Sequence, residues 1–344
     1  MKLRTLTLLA VLSIFVISLT VLSSPALAAD KTFKWRLATL YPRGVTYGVV
    51  YESLAEKVKT MSDGRLTIEI VYDGEGVAAT EVFSAVKTGL VEMGVPFMAL
   101  HAGEMPAGVV ELGLPGAVHD FLQIRTLFYN YGWDKAVEKA YGKHGIQWIA
   151  EWSSPETYLL TKKPIKSIAD LKQMKIRAPG PSGAFLKYVG AAPVTMAFGE
   201  VYTSLATGVI DGVDGTNIID IYDGKFHEVA KYLYPLPILG SETTPILVNM
   251  NAWKKLPQDL QAILTIAARW CGTEWGMLSL RLAKSYLQEM KAAGMEVTEM
   301  PSPEDQAKWA EAADKVWQEY EAIDEDCANL IKIQRAFKKE LSIK

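Results

Sequence analysis

MKIRAPGPSGAFLKYVGAAPVTMAFGEVYTSLATGVIDGVDG, residues 174–215, reads as strand, helix, strand, helix and turn in succession. Lys175-Ile176-Arg177 forms a short strand that Pro179 and Gly180 cut off, since neither continues a ladder. A helix-length piece precedes a second strand at Pro193–Met196, and a further helix runs from about Gly199 to Ile210. Val201, Leu205 and Val209, four apart, mark its apolar stripe, and Glu200 puts an acid in the first turn where the macrodipole favours one. The turn Asp211–Gly215 closes the unit. Arg177 therefore ends a strand and faces loops of small residues. Its planar fork matches a carboxylate bidentately and stays ionised when partly desolvated. The same pattern also suits an edge strand whose Lys175 and Arg177 share a solvated face.

Upstream, strand and helix alternate. Phe33–Ala38 is a strand, Val45–Met61 a helix with Val49, Leu54 and Val58 apolar, and Leu66–Tyr72 a second strand. Thr80–Gly89 is a helix with Val82, Val86 and Leu90 on one stripe, and Met93–Phe97 a third strand. That order predicts an α/β fold with a parallel sheet covered on both faces. Ligands of such sheets lie beyond the strand carboxyl ends, which puts Tyr41, in Leu40–Gly44, at a cleft wall or under its own loop.

Downstream, His119–Tyr131 and Lys135–Lys143 read as helices, and Gln147–Trp152 and Tyr158–Thr161 as strands. There the chain crosses into a second lobe, with Trp152 beside the crossing as a further candidate ligand contact. It returns near Val229–Leu239, and Thr244–Met250 is a strand of the first lobe. Leu260–Lys291 is helical with Gly272 and Gly276 as weak points, Glu296–Met300 a last strand, and Pro303–Lys339 one charged amphipathic helix. The expected units are 29–153 with 240–300 as lobe I, 154–239 as lobe II, and 301–344 as a C-terminal helix packing on both.

Residues 1–28 read as an export signal: Lys2 and Arg4, an apolar run Leu6–Val21, and the small-residue site Ala26-Leu27-Ala28 with no cysteine after it. Cleavage there leaves a soluble periplasmic protein without a lipid, and moves the net charge from −3 to −5. A chain so balanced has no basic face for nucleic acid. Cys271 and Cys327 lie among apolar neighbours, as a disulfide or as buried thiols. His101, His119, His144 and His227 are scattered without metal-ligand spacing, and no P-loop, His-Glu-x-x-His or Gly-x-Ser-x-Gly motif occurs.

The runs KIRAPG, GAAPVTMAFGEVYTSLATGVIDG and KFHEVAKYLY (Lys225–Tyr234) resemble, in order, motifs of the extracytoplasmic solute receptors of TRAP transporters. GRLTIEIVYDGE (Gly64–Glu75) and EVFSAVKTGLVEMG (Glu81–Gly94) extend the likeness over most of the chain. The resemblance implies a two-lobed periplasmic binding protein with hinge crossings that delivers a small organic carboxylate to a TRAP permease. It implies Arg177 as the carboxylate ligand. Glu156 falls where the α-keto-acid subgroup has a glutamine near solute and cation, and Asp214 on that subgroup's acidic cation ligand. Two departures stand out. Thr157 replaces an arginine of many branches, which argues against a dicarboxylate held by two forks. Gly215 replaces a tryptophan or asparagine, leaving room for a larger solute or for Thr216 and Asn217 to fill.

Glu156 and Asp214 opposite a carboxylate need a positive partner: Na⁺ or Ca²⁺, or an amine on the solute. As a loop acid and a turn acid, both also have plain structural readings. No cofactor is required. An ABC-type or sensor-linked receptor is the nearest rival, and a secreted enzyme the next.

Overall fold

One continuous sheet of nine strands runs through the described residues, 31–342, of the computed structural model. The expected leader and its cleavage site lie outside the described residues. The strands are β1 (Phe33–Thr39), β2 (Leu66–Val71), β3 (Met93–Val95), β4 (Ile146–Thr161), β5 (Lys175–Arg177), β6 (Ala192–Val194), β7 (Gly212–Val213), β8 (Tyr232–Asn249) and β9 (Glu296–Val297). Their order is β2-β1-β3-β8-β4-β7-β5-β6, with β9 beside β8.

The sheet is mixed rather than parallel. β1 pairs with β2 and β3 in parallel, and β5 with β6 and β7 in parallel, but β8 and β4 lie antiparallel between these groups. The cause is the length of β4 and β8, 16 and 18 residues. Each runs through both lobes, one outward and one back, so the central pair must oppose. Their ladder slips between Ser153 and Leu160 on β4, opposite Leu233–Thr243 on β8. Irregular pairing bends a strand and increases its twist, so the sheet curls here, between the two lobes.

Both short expected stripes overran their helices. The helices Val82–Thr88 and Val201–Thr207 each stop at a glycine in the left-handed region, Gly89 (φ 80°) and Gly208 (φ 78°). Leu90 and Val209 fall beyond those caps and are exposed, whereas Val82, Val86, Val201 and Leu205 are fully buried. Val50 replaces Val49 on the buried face of the helix Gly48–Met61.

The helix Gln258–Ala292 passes Gly272 and Gly276 unbroken. A Cβ at Gly272 would meet the Glu151 carbonyl at 2.7 Å, and one at Gly276 the Phe121 ring at 2.1 Å, so both glycines mark close approach. The C-terminal segment is two helices, Pro303–Glu321 and Glu325–Glu340, because Asp324 caps the second by accepting the Cys327 N–H. The first packs on the second lobe through Trp309 against Phe185, and the second on the first lobe through Leu330 and Phe337 against Trp133 and Tyr131. Cys271 and Cys327 are free, buried thiols.

Candidate functional site

Arg177, the last residue of β5, is buried at 2% exposure. Its Nη1 donates to the carbonyls of Asp214 and Gly215, both at 3.1 Å, and its Nε to that of Met196 at 3.2 Å. Three of its five N–H groups are thus fixed by backbone, and among the described residues no carboxylate lies within ion-pair distance of it. Burial depresses its pKa, against the fields of Glu242, Asp220 and Asp214. A desolvated guanidinium anchored by neutral oxygens lacks an anion.

It borders a cavity between the lobes with about 500 Å³ of space between atoms, of which only about 20 Å³ admits the centre of a water molecule. That is room for a water or two, so the lobes here are closed. Tyr41, Tyr47, Phe97 and Leu100 line it from the first lobe, and Phe198, Gly215 and Asp220 from the second. The two sides are bonded together. Tyr41 donates to Asp220 at 2.7 Å, Asn217 Nδ2 donates to the Tyr47 hydroxyl at 2.9 Å, and the Thr46 N–H and hydroxyl donate to Asp223 at 2.7 and 2.8 Å. Tyr41 also stacks on Tyr47 and meets Phe198 edge-on.

Two acids border the cavity beside Arg177. Asp220 accepts from Tyr41 and from the Asn217 N–H, and burial raises its carboxyl to about 7. Glu242, on β8, is buried with Oε1 unpartnered, and burial, reinforced by Asp220 and Asp214, pushes its pKa well up. Asp214 is fully buried with no well-formed hydrogen bond on either oxygen; burial raises it to about 6, against Ser182 and the Gly215 N–H.

The remaining expected residues divide. Tyr41, Gly215 and Arg177 share the cavity. Asn217 is adjacent, capping the helix Ile218–Asp223 while it holds Tyr47. Glu156 falls outside the lining: its Oε1 is 4.0 Å from His119 Nδ1, and Tyr158 donates to its Oε2 at 3.4 Å. Trp152 is a core residue whose indole N–H donates to the Ala268 carbonyl at 3.0 Å. Thr157 is buried, its hydroxyl accepting the Leu239 N–H. At Gly215 (φ +71°) a Cβ would stand 3.3 Å from Arg177 Nη1 and 3.3 Å from Pro179. The missing side chain therefore lets the backbone grip the guanidinium. Tyr47, Phe198, Asp220 and Glu242 went unread. Glu242 alone had a local signal, one charge in the apolar run ILGSETTPILV. Among the described residues, no group of three or more His, Cys, Asp or Glu is arranged to hold a metal ion.

The chain matches the model of the bacterial extracellular solute-binding proteins, family 7, over residues 38–323. A monocarboxylate 2-oxoacid-binding periplasmic protein of Nostoc is 30% identical over 236 residues, 68% of this chain and 65% of that protein. Among solved structures, a TRAP periplasmic solute binding protein of Pseudoalteromonas atlantica with bound sodium and pyruvate superposes with a TM-score of 0.85. It is 26% identical, over 91% of this chain and 95% of that one. One from Colwellia psychrerythraea with bound calcium and pyruvate gives 0.85 at 27% identity, over 91% and 96%.

Proposed function

Because the chain belongs to the bacterial extracellular solute-binding proteins of family 7, we propose that it is a periplasmic receptor that captures a small organic monocarboxylate between its lobes and passes it to a TRAP permease. Arg177 carries the reading: a buried, carbonyl-anchored guanidinium with no acid of its own, at a cavity wall. The solute carboxylate takes its remaining N–H groups. Among the described residues no second arginine or lysine lines the cavity, which supports one carboxylate rather than two. Tyr41, Phe97, Leu100 and Phe198 enclose the rest of the solute.

Binding would be a hinge movement of lobe I (29–153 with 240–300) against lobe II (154–239) about the slipped ladder of β4 and β8. Tyr41–Asp220 and Thr46–Asp223 would fasten the closed form.

Charge balance supports a cation. Glu242 and Asp214 hold buried oxygens without good partners, and hard oxygens of that kind suit Na⁺ or Ca²⁺. They replace the pairing of Glu156 with Asp214, since Glu156 lies by His119. Bound cation would offset these acids beside the incoming carboxylate.

The deciding measurement is mass spectrometry of solute released on denaturing the purified protein. An intact organic acid near one per chain, absent from Arg177→Ala, is expected. No acid in the wild type, with no calorimetric response to pyruvate or pyroglutamate, would overturn the proposal. Turnover of a released acid on incubation would favour an enzyme.

A further inference from the structure

A wide concavity lies away from the cleft. It lies between the two C-terminal helices, the loop 115–119 and the crossing segment 236–237 of β8, and about 620 Å³ of it admits the centre of a water molecule. Binding pockets for small molecules run from about 300 to 1,000 Å³. Its apolar wall is Trp309, Trp317, Leu236 and Pro237. Both indoles are fixed by hydrogen bonds to backbone, Trp309 to the Pro237 carbonyl at 3.3 Å and Trp317 to that of Pro115 at 2.7 Å.

The rim is cationic. Arg335 lies over the Trp317 ring, but it is shared by Asp314 at 3.7 Å and Glu321 at 3.3 Å. Lys338 differs. It is half-buried, its ammonium donates to the Gly116 carbonyl and lies 5.6 Å from the centre of the Trp317 ring, and among the described residues no carboxylate is within ion-pair distance. Burial, then Arg335, depresses its pKa. Lys339 beside it is exposed and forms no ion pair among the described residues. Asp314 is the one acid in the lining, and it faces Arg335. A partly desolvated ammonium against an aromatic wall, held only by a carbonyl, is short of one negative charge.

We propose that this groove binds an organic anion with an apolar or aromatic body, its acid group on Lys338 and Lys339 and its body along Trp309 and Leu236. The site is separate from the cleft and stands whether or not the cleft takes a carboxylate. Its walls come from helices on both lobes and from the crossing itself, so its occupant touches the parts that move when the lobes open.

The test is a fluorescence titration of the purified protein with 8-anilinonaphthalene-1-sulfonate, an aromatic anion that brightens in apolar surroundings. One saturable site is expected. Lys338→Gln weakens it by about tenfold or more, the loss of one hydrogen bond to a charged group. Ala310→Glu, at an exposed lining position of a helix, weakens it comparably by placing a like charge in the groove. The uncharged N-phenyl-1-naphthylamine responds to neither change in charge. Should Lys338→Gln lower the melting temperature, Ala310→Glu still decides, because it removes no buried contact. No brightening in the wild type, or titrations unchanged in both variants, overturns the proposal; the latter puts the dye elsewhere, as on the exposed Ile266 and Trp270.

Discussion

Arg125 and Glu151 meet; Arg177 and Glu242 do not. Both sets place a buried glutamate on a crossing strand near an arginine, within a few residues of the bend in β4 and β8. Arg125 Nη1 donates to Glu151 at 3.0 Å, Tyr129 donates to the other carboxylate oxygen, and Arg125 and Arg269 both stack on the Tyr129 ring. In the cleft, the guanidinium is held by carbonyls and the glutamate keeps an unpartnered oxygen. A protein that wanted only stability would have joined the second pair as it joined the first. Keeping both groups buried and apart costs free energy, and a ligand that meets them recovers it.

The contrast breaks most sharply under Arg125→Met. It leaves Glu151 buried without its cation, and such breakage costs about 3–5 kcal/mol of stability. The chemical denaturation midpoint should fall while solute affinity stays within error. A loss of affinity with an unchanged midpoint would make the two sets equivalent.

Arg177→Ala should behave oppositely. Truncating one side of a buried charge contact costs about 2–5 kcal/mol of binding. Calorimetry with the solute recovered from the wild type reads the loss, and Arg177→Lys loses most of it too, because a point charge lacks the fork. Its denaturation midpoint should fall less than that of Arg125→Met, since backbone carbonyls rather than a paired acid take its hydrogen bonds.

A finer probe is Gly215→Ala. The left-handed φ costs roughly 1–2 kcal/mol for a residue with a Cβ, and the added carbon displaces Arg177 Nη1 or Pro179. Affinity should fall further than the midpoint does. Equal falls would mean that the turn serves only the fold.

The smallest effect is that of pH, in cation-free buffer. Asp220 and Asp214 titrate near 7 and 6 in the closed protein, above their ordinary value of 3.8, because burial disfavours the charged form. Their contribution to stability is therefore full below about pH 4. It is lost as pH rises through 6 and 7. Melting temperature should decline over that window, and Asp220→Asn should flatten part of the decline. A melting temperature that rises from pH 5 to 8 in the wild type would contradict the burial of these acids.

The strand that carries Arg177 was legible from Pro179 and Gly180, which stop it, but its local pattern suited a solvated edge equally, and only the resemblance singled the arginine out. The continuity of the crossing strands was not legible: the sequence suggested separate short strands at 147–152, 158–161 and 244–250, yet β4 and β8 each run unbroken with Pro155, Pro235, Pro237 and Pro245 inside them. Helix stripes failed at Leu90 and Val209 because spacing counts residues and does not see the glycine that ends the helix one position earlier. The cavity acids failed for another reason. Asp220 is consumed locally in a capping box with Asn217, and Glu242 faces Arg177 only after the sheet has brought distant strands together.

β3 pairs on one side with β1 and on the other with β8, Met93 opposite Val248. The strands flanking that edge are therefore separated by the whole chain of the second lobe. As the chain is made, N-terminus first, the first lobe must wait with an unpaired edge until β8 has been added. An open β edge recruits whatever strand is nearest. Until that strand arrives, whatever shields the β3 edge guards the chain against mispairing, a demand that the stability of the finished molecule does not reveal.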